Sequence, residues 1–211
     1  MSTINASIKL VNFDQDFNQN ILNEIRSILK LKMPQITINI KNRLNVELKN
    51  LISQSNTWQA ISSGMLRGEL GIANTSVIDN ILEKWANGIV VKFNNTVGFG
   101  AIDINMIQSD YSDVLTMPEA SFTYTSRNGS GVIEWLRWLL LESSSIIVSN
   151  YDFTPSNQGR TGLGIMKRVP SGWKVPSQHA GTATDNFVTR SLEDIYKIID
   201  EVVRQEITKG L

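Results

Sequence analysis

Between Gln158 and Arg190 the chain reads QGRTGLGIMKRVPSGWKVPSQHAGTATDNFVTR. The stretch is rich in glycine, threonine and basic residues, is entered from a predicted strand and runs into a predicted helix. Segments beyond about 12–15 residues with little structure of their own are uncommon in compact domains, and those that occur are functional or disordered. Disorder does not suit this one, because Ile165, Met166, Val169, Trp173 and Val175 are too many large apolar groups for a solvated linker. These side chains need cover, from the chain's own domain, from a ligand, or from another copy of the chain.

Composition narrows the class. A chain of 211 residues suits a single domain with a sizeable core, here divided into a mainly helical part (1–87) and a part with strands, the extended loop and a last helix (88–211). Lys and Arg number 20, as do Asp and Glu, so a general electrostatic grip on nucleic acid or anionic lipid is not expected. Residues 41–49 (KNRLNVELK) lean basic and read as a solvated helix face. Cysteine is absent, which excludes a disulfide framework, a thiolate metal site and a cysteine nucleophile. The start, MSTINASIKLVNFDQDF, lacks a basic head followed by an unbroken apolar run, so no secretory signal is expected. Val132 to Leu141 contains Glu134 and Arg137 and falls far short of the ~20 residues of a membrane span. The expectation is a soluble product made in a cytoplasm.

Periodicity supplies the elements. Ile21, Leu22, Ile25, Ile28 and Leu29 fall at helical spacing, with Asp14 or Asp16 as N-cap, and Pro34 is expected to end that helix or open the next. Ile36, Ile40, Leu44, Leu48 and Leu51 continue the pattern, although 36–40 (ITINI) also alternates as a strand would. A short helix follows at 55–61, then a connector with three glycines, Gly64, Gly68 and Gly71, and then a helix from Asn74 or Thr75 to Gly88. From Ile89 the period changes to two, predicting a hairpin through a turn at Asn95–Gly98. A strand at Ala120–Thr125, a turn at Arg127–Ser130, a buried helix at Val132–Leu141 and strands beginning at Ile146 and Gly164 come next. Val188, Leu192, Ile195, Ile199 and Val202 form one stripe of a closing helix, Asp185 to Lys209, with Asp185 as N-cap and Gly210 as stop. The stripe packs on the chain's own sheet or on a helix of another subunit. The fold class is therefore α+β: N-terminal helices, a mostly antiparallel sheet with a short buried helix, a long extended loop and a C-terminal helix against the sheet.

Chemistry-bearing patterns are sparse. His179 is the only histidine; as a general base it needs an orienting carboxylate, and Asp185 is the nearest in sequence. Asp103, Asp110, Asp113 and Glu119 offer oxygens to a hard cation, but at spacings that match no metal motif. Gly159–Gly164 (GRTGLG) shares the composition of a phosphate cradle without its Gly-Lys-Ser/Thr or the helix directly after it. No catalytic residue, cofactor or metal is assigned.

Two segments carry a resemblance. Leu51-Ile52-Ser53 through Ser63-Gly64-Met65-Leu66-Arg67-Gly68-Glu69-Leu70-Gly71-Ile72 is similar to the segment after the N-terminal helices in neck and tail-completion proteins of tailed bacteriophages. The later half resembles phage virion proteins of this size through Gly159-Arg160-Thr161-Gly162, Ile165-Met166, Trp173-Lys174-Val175-Pro176, Ala180-Gly181-Thr182 and Asp185 to Arg190. The resemblance implies a structural subunit, without an active site, at the head–tail junction of a virion. It would assemble as a ring, hexameric or dodecameric, against adjoining neck, portal-adaptor or tail tube and sheath proteins. On that reading Arg67, Arg160, Met166, Trp173 and Arg190, with the Gly64–Gly71 connector, are the candidate subunit contacts. Arginine and aromatic groups are enriched at interface centres, and a loop docking on the next copy is a natural way to close a ring. Trp173 has an alternative, folding back on its own sheet; on the interface reading Trp173→Ala is expected to leave the monomer folded and impair ring formation, with an unchanged oligomer mass counting against it. The rival readings are a small phage-encoded metal-dependent nuclease using the acidic loop, another hydrolase built on His179, and a ligand-binding module with an exposed aromatic cluster.

Overall fold

A computed structural model describes residues 19–95, 100–108, 110–126, 129–142 and 145–211. The expected cap at Asp14 or Asp16, much of the turn at Asn95–Gly98, and Arg127 and Asn128 lie outside them.

Helix α1 spans Gln19–Gln54 without a break, and Pro34 sits inside it. This departs from the expected boundary. An interior proline forfeits one backbone hydrogen bond and crowds the preceding turn, at about 3 kcal/mol. The opposing term is a ridge that runs straight past it: Leu29, Met33, Ile36, Ile40, Leu44, Leu48 and Ile52 are all buried. Breaking the helix at residue 34 would misalign that ridge, so tertiary burial decides. The same ridge settles the ITINI ambiguity, since Ile36 and Ile40 point inward at i, i+4 while Ile38 faces outward.

Helices α2 (Asn56–Ser62) and α3 (Met65–Glu69) follow, then α4 (Ser76–Asn87). Ser55 caps α2 by accepting from the Trp58 N–H, and the Asn74 side chain accepts from the Ser76 N–H ahead of α4. Asn45 to Asn87 and Lys49 to Glu83 lay α4 antiparallel beside the second half of α1. The closing helix, α7 (Phe187–Gly210), takes α1 as its main partner. Arg43 reaches Gln205 and Glu206, while Gly210 lies against Ile36, so these two helices are also antiparallel. The α7 stripe buries Val188, Ile195, Ile199 and Val202 within the same chain.

The α+β class holds, with the strands among the described residues arranged as three separate antiparallel pairs. Strands β1 (Val90–Asn94) and β2 (Ala101–Asn105) form the expected hairpin, with Ile102 and Ile104 buried. A short helix α5 (Ser112–Leu115) and a 3-10 turn (Pro118–Ala120) lead to β3 (Phe122–Ser126), paired with β4 (Gly129–Ile133). The helix expected from Val132 begins only at α6 (Trp135–Leu140), because Val132 and Ile133 are taken by pairing with Thr123 and Phe122. Strand β5 (Val148–Pro155) pairs with β6 (Gly164–Trp173). The long segment of 158–190 is thus half ribbon; its irregular part, residues 174–186, lies over α6. Gly181 permits that approach, since a Cβ there would come within 2.3 Å of the Leu139 carbonyl oxygen.

The cap of α7 is Asn186, one residue after the expected Asp185. Its Oδ1 accepts from the Val188 and Thr189 N–H groups at 2.9 and 3.1 Å. Its buried Nδ2 donates to the Tyr111 hydroxyl and the Thr182 carbonyl, both at 2.8 Å, and more weakly to Leu140 O. One side chain thereby ties α5, α6, the 174–186 coil and α7 together. An aspartate would lack those donors, which is why position 186 and not 185 starts the helix. Asp185 instead pairs with Arg190 at 2.7 Å on the surface.

Candidate functional site

The two segments that carry the resemblance meet each other. Gly68 of α3 lies under the β5–β6 ribbon so closely that a Cβ would come within 2.7 Å of Leu163 and 3.0 Å of Phe153. Gly71, at φ +74, is in the left-handed region that favours glycine, and Arg160 donates through Nη2 to its carbonyl oxygen. The Arg160 guanidinium also covers the Phe122 ring at 4.1 Å from its centroid. At the far end of the ribbon Trp173 is only 4% exposed; its Nε1 donates to Glu69 Oε2 at 3.1 Å, and its ring meets Trp138 at 6.2 Å. The glycine-rich connector therefore serves as a seat for the ribbon within one chain.

Each expected contact residue can be placed against that seam. Trp173 and Arg160 are engaged inside the chain at its two ends. Met166 pairs with Phe153 across the ribbon and packs half-buried on the core. Arg67 is half-buried on α3, its Nε enclosed and without a hydrogen-bond partner among the described residues. Arg190 stands apart on α7 with Asp185. The seam thus gathers Arg67, Arg160, Met166 and Trp173, and leaves Arg190 out.

Electrostatics at the seam turn on Glu69. Burial pushes its carboxyl above the usual range, against the stabilising hydrogen bond from Trp173, and the nearby Asp152 charge adds to the rise. His179 lies against α2, where its Nδ1 and the Thr57 hydroxyl are 3.2 Å apart, and burial lowers its pKa. Asp185 faces Arg190 and does not orient the imidazole.

The acidic residues have separate tasks. Asp110 accepts from the Ser112 N–H and hydroxyl, which hold its carboxyl below the usual range. Glu119 accepts from Asn80 at 3.2 Å. Asp113 is half-buried, its pKa raised by desolvation. Among the described residues no three carboxylate or histidine groups converge on one point fit for a metal ion.

Beside the seam lies a cleft of about 180 Å³, lined by Gly71, Ile72, Val77, Phe122, Trp135 and Arg160 among others. Ile72 and Trp135 are buried in its floor, and Glu119 borders it while its carbonyl accepts from Trp135 Nε1 at 2.9 Å. Sequence reading passed over this cleft because its walls come from a connector, α4, β3 and α6, with no local pattern linking them. Among the described residues no helix is long and apolar enough to cross a membrane. Set beside protein-family models, curated proteins and solved structures, the chain matches none of them.

Proposed function

We propose that the chain is a structural subunit of a tailed-phage virion, a neck or tail-completion/tail-terminator protein that closes into a ring at the head–tail junction. The resemblance of the 51–72 and 159–190 segments supplies the class. The observation that carries the self-assembly is the outer side of α1. Opposite the buried ridge, Ile28, Leu31, Ile38 and Val46 are 41, 78, 51 and 54% exposed. A helix with one apolar stripe suffices for a monomer's core; a second along the outside costs solvation unless something covers it. Two further exposed apolar groups, Tyr124 and Val132, stand on the β3–β4 ribbon.

In this reading the seam between connector and ribbon is internal scaffolding that shapes the subunit, and the subunit contacts move to α1 and the cleft. Native mass spectrometry of the full chain tests it. The expected result is a closed oligomer, six or twelve times the 23.6 kDa subunit. A strict monomer across the micromolar range, absent from purified particles by immunogold microscopy, would overturn it.

A further inference from the structure

We infer that His179 is an acid-sensitive latch: its neutral ring fastens the 174–186 coil to α2, and protonation lets the coil go. The contact is built from both sides. In the coil, the His179 and Ala180 N–H groups both donate to the Pro176 carbonyl, at 2.8 and 3.0 Å, and this turn brings the imidazole to α2. On α2, Thr57 is only 3% exposed, and His179 Nδ1, at 3.2 Å, is the one partner of its hydroxyl among the described residues.

The bond has a direction. A buried hydroxyl must place its proton, and Nδ1 is the acceptor within reach, so Thr57 donates and the ring hydrogen sits on Nε2. Nε2 has no partner among the described residues and is not enclosed. The next proton therefore goes to Nδ1 and turns the acceptor into a donor, so that two donors oppose each other. If the Thr57 hydroxyl rotates to accept, its own proton is left buried without an acceptor. Both arrangements favour release. No carboxylate compensates the new charge. Helix α2 (NTWQAIS) carries none, Lys49 near the end of α1 pairs with Glu83, and Arg137 of α6 pairs with Glu142. Asp185 and Glu193 act on Arg190, and Lys174 of the coil is exposed. Burial is the only influence on the ring, and it holds the pKa below the usual histidine value.

The coil is otherwise held by the fully buried Val175, by Gly181 against the Leu139 carbonyl, and by Asn186 at the start of α7. None of these titrates, and His179 is the chain's only histidine, so the attachment answers to pH through this residue. The folded ring takes its proton less readily than the open one. Attachment is therefore complete above the open-state value of 6.5 and is lost as pH falls through the lower folded value. In acid the coil lifts from α2 and uncovers the side of α6 beneath it. The latch works within one subunit, whether or not the ring forms.

A single histidine makes the test direct. In the full chain, the His179 Cε1–H resonance reports the ring's titration from about pH 8 to about pH 5. Amide protection factors of residues 174–186, corrected for intrinsic exchange, report the attachment over the same range. The ring is expected to titrate below 6.5. Coil protection should fall with it, by about tenfold for each pH unit between the folded and open values, while α1 and α4 keep theirs. His179→Asn keeps an acceptor near the place of Nδ1 and takes no proton, so its coil protection is expected to stay flat. Protection that is unchanged through the ring's titration overturns the latch, as does an equal loss in His179→Asn. Should that variant fail to fold by circular dichroism, the wild type decides alone: a coil that loosens more than about one unit from the ring's midpoint overturns the latch, and coincident midpoints uphold it.

Discussion

The helical half and the ribbons solve the same burial problem in different ways. In α1, α4 and α7 the inward stripes face other helices, with β1 also laid on α1, and the aromatic rings of Trp58, Trp85 and Phe187 meet at 6.0 to 6.2 Å where α2, α4 and α7 converge. Among the described residues the β3–β4 and β5–β6 pairs have no third strand, and isolated two-stranded hairpins are marginal in water. The longer one survives by anchorage at its ends: Gly164 and Trp173 are buried, whereas Ser149 to Asp152, Lys167 and Arg168 between them are exposed. Stability in the helical half is therefore distributed over many contacts. In the ribbons it is concentrated in a few residues, and their mid-lengths should open first.

The largest effect is expected from the distributed side. Trp85→Ala should cost about 3–5 kcal/mol in urea unfolding, as for other fully buried aromatic groups. Trp85→Phe should cost much less, because the indole N–H it removes is buried without a partner among the described residues. A small loss for Trp85→Ala would break the contrast at its root.

Next comes Asn186→Ala, which removes the α7 cap and strands the Tyr111 hydroxyl. The expected loss is about 2–3 kcal/mol, combining a missing cap with an unsatisfied buried group. Asn186→Asp should recover the cap but not the donors, so its melt should fall between the two.

For the ribbon, Trp173→Phe keeps most of the ring and deletes the hydrogen bond to Glu69. The expected cost is about 1–2 kcal/mol, read as faster amide exchange confined to β5–β6 with α1 and α7 protection unchanged. Uniform loss of protection would show that the ribbon and the helices unfold as one unit. Trp173→Ala is accordingly expected to loosen the subunit itself, which makes it a poor probe of assembly.

The smallest effect sharpens the electrostatics. Because burial raises the Glu69 pKa, the folded state holds this proton more tightly than the unfolded one. The resulting stability is present below about 4.5, the unfolded value, and declines as pH rises through the higher folded value. Glu69→Gln keeps an acceptor for Trp173 and removes the desolvated charge, so it should flatten that decline. A steeper pH dependence in the variant would show that the ionised carboxylate favours the folded state.

The legible parts of the chain were those whose signal is local and repeated. The α7 stripe, α4, the β1–β2 hairpin and the existence of short helices at 55–61 and within 132–141 were all readable from spacing. Boundaries slipped where a single residue serves several elements. Val132 and Ile133 look helical beside Trp135 until β3 pairs with them, and Asp185 looks like a cap until the buried donors of Asn186 are needed. The candidate contacts were legible as unusual residues but not as a place, since Gly68 and Leu163, or Glu69 and Trp173, share no pattern that links them.

By itself the amino-acid order determined which side chains must leave water and with what period, because hydrophobic spacing acts over a few residues. It therefore specified α+β elements and the apolar load of the 158–190 segment. Only the tertiary structure decided what covers each of them: that α1 runs through Pro34, that α7 lies on α1, and that the glycine connector and the ribbon close on each other. The reason is that burial is a collective quantity, fixed by which distant surfaces fit, and a helix or a glycine is chosen for the partner it finds.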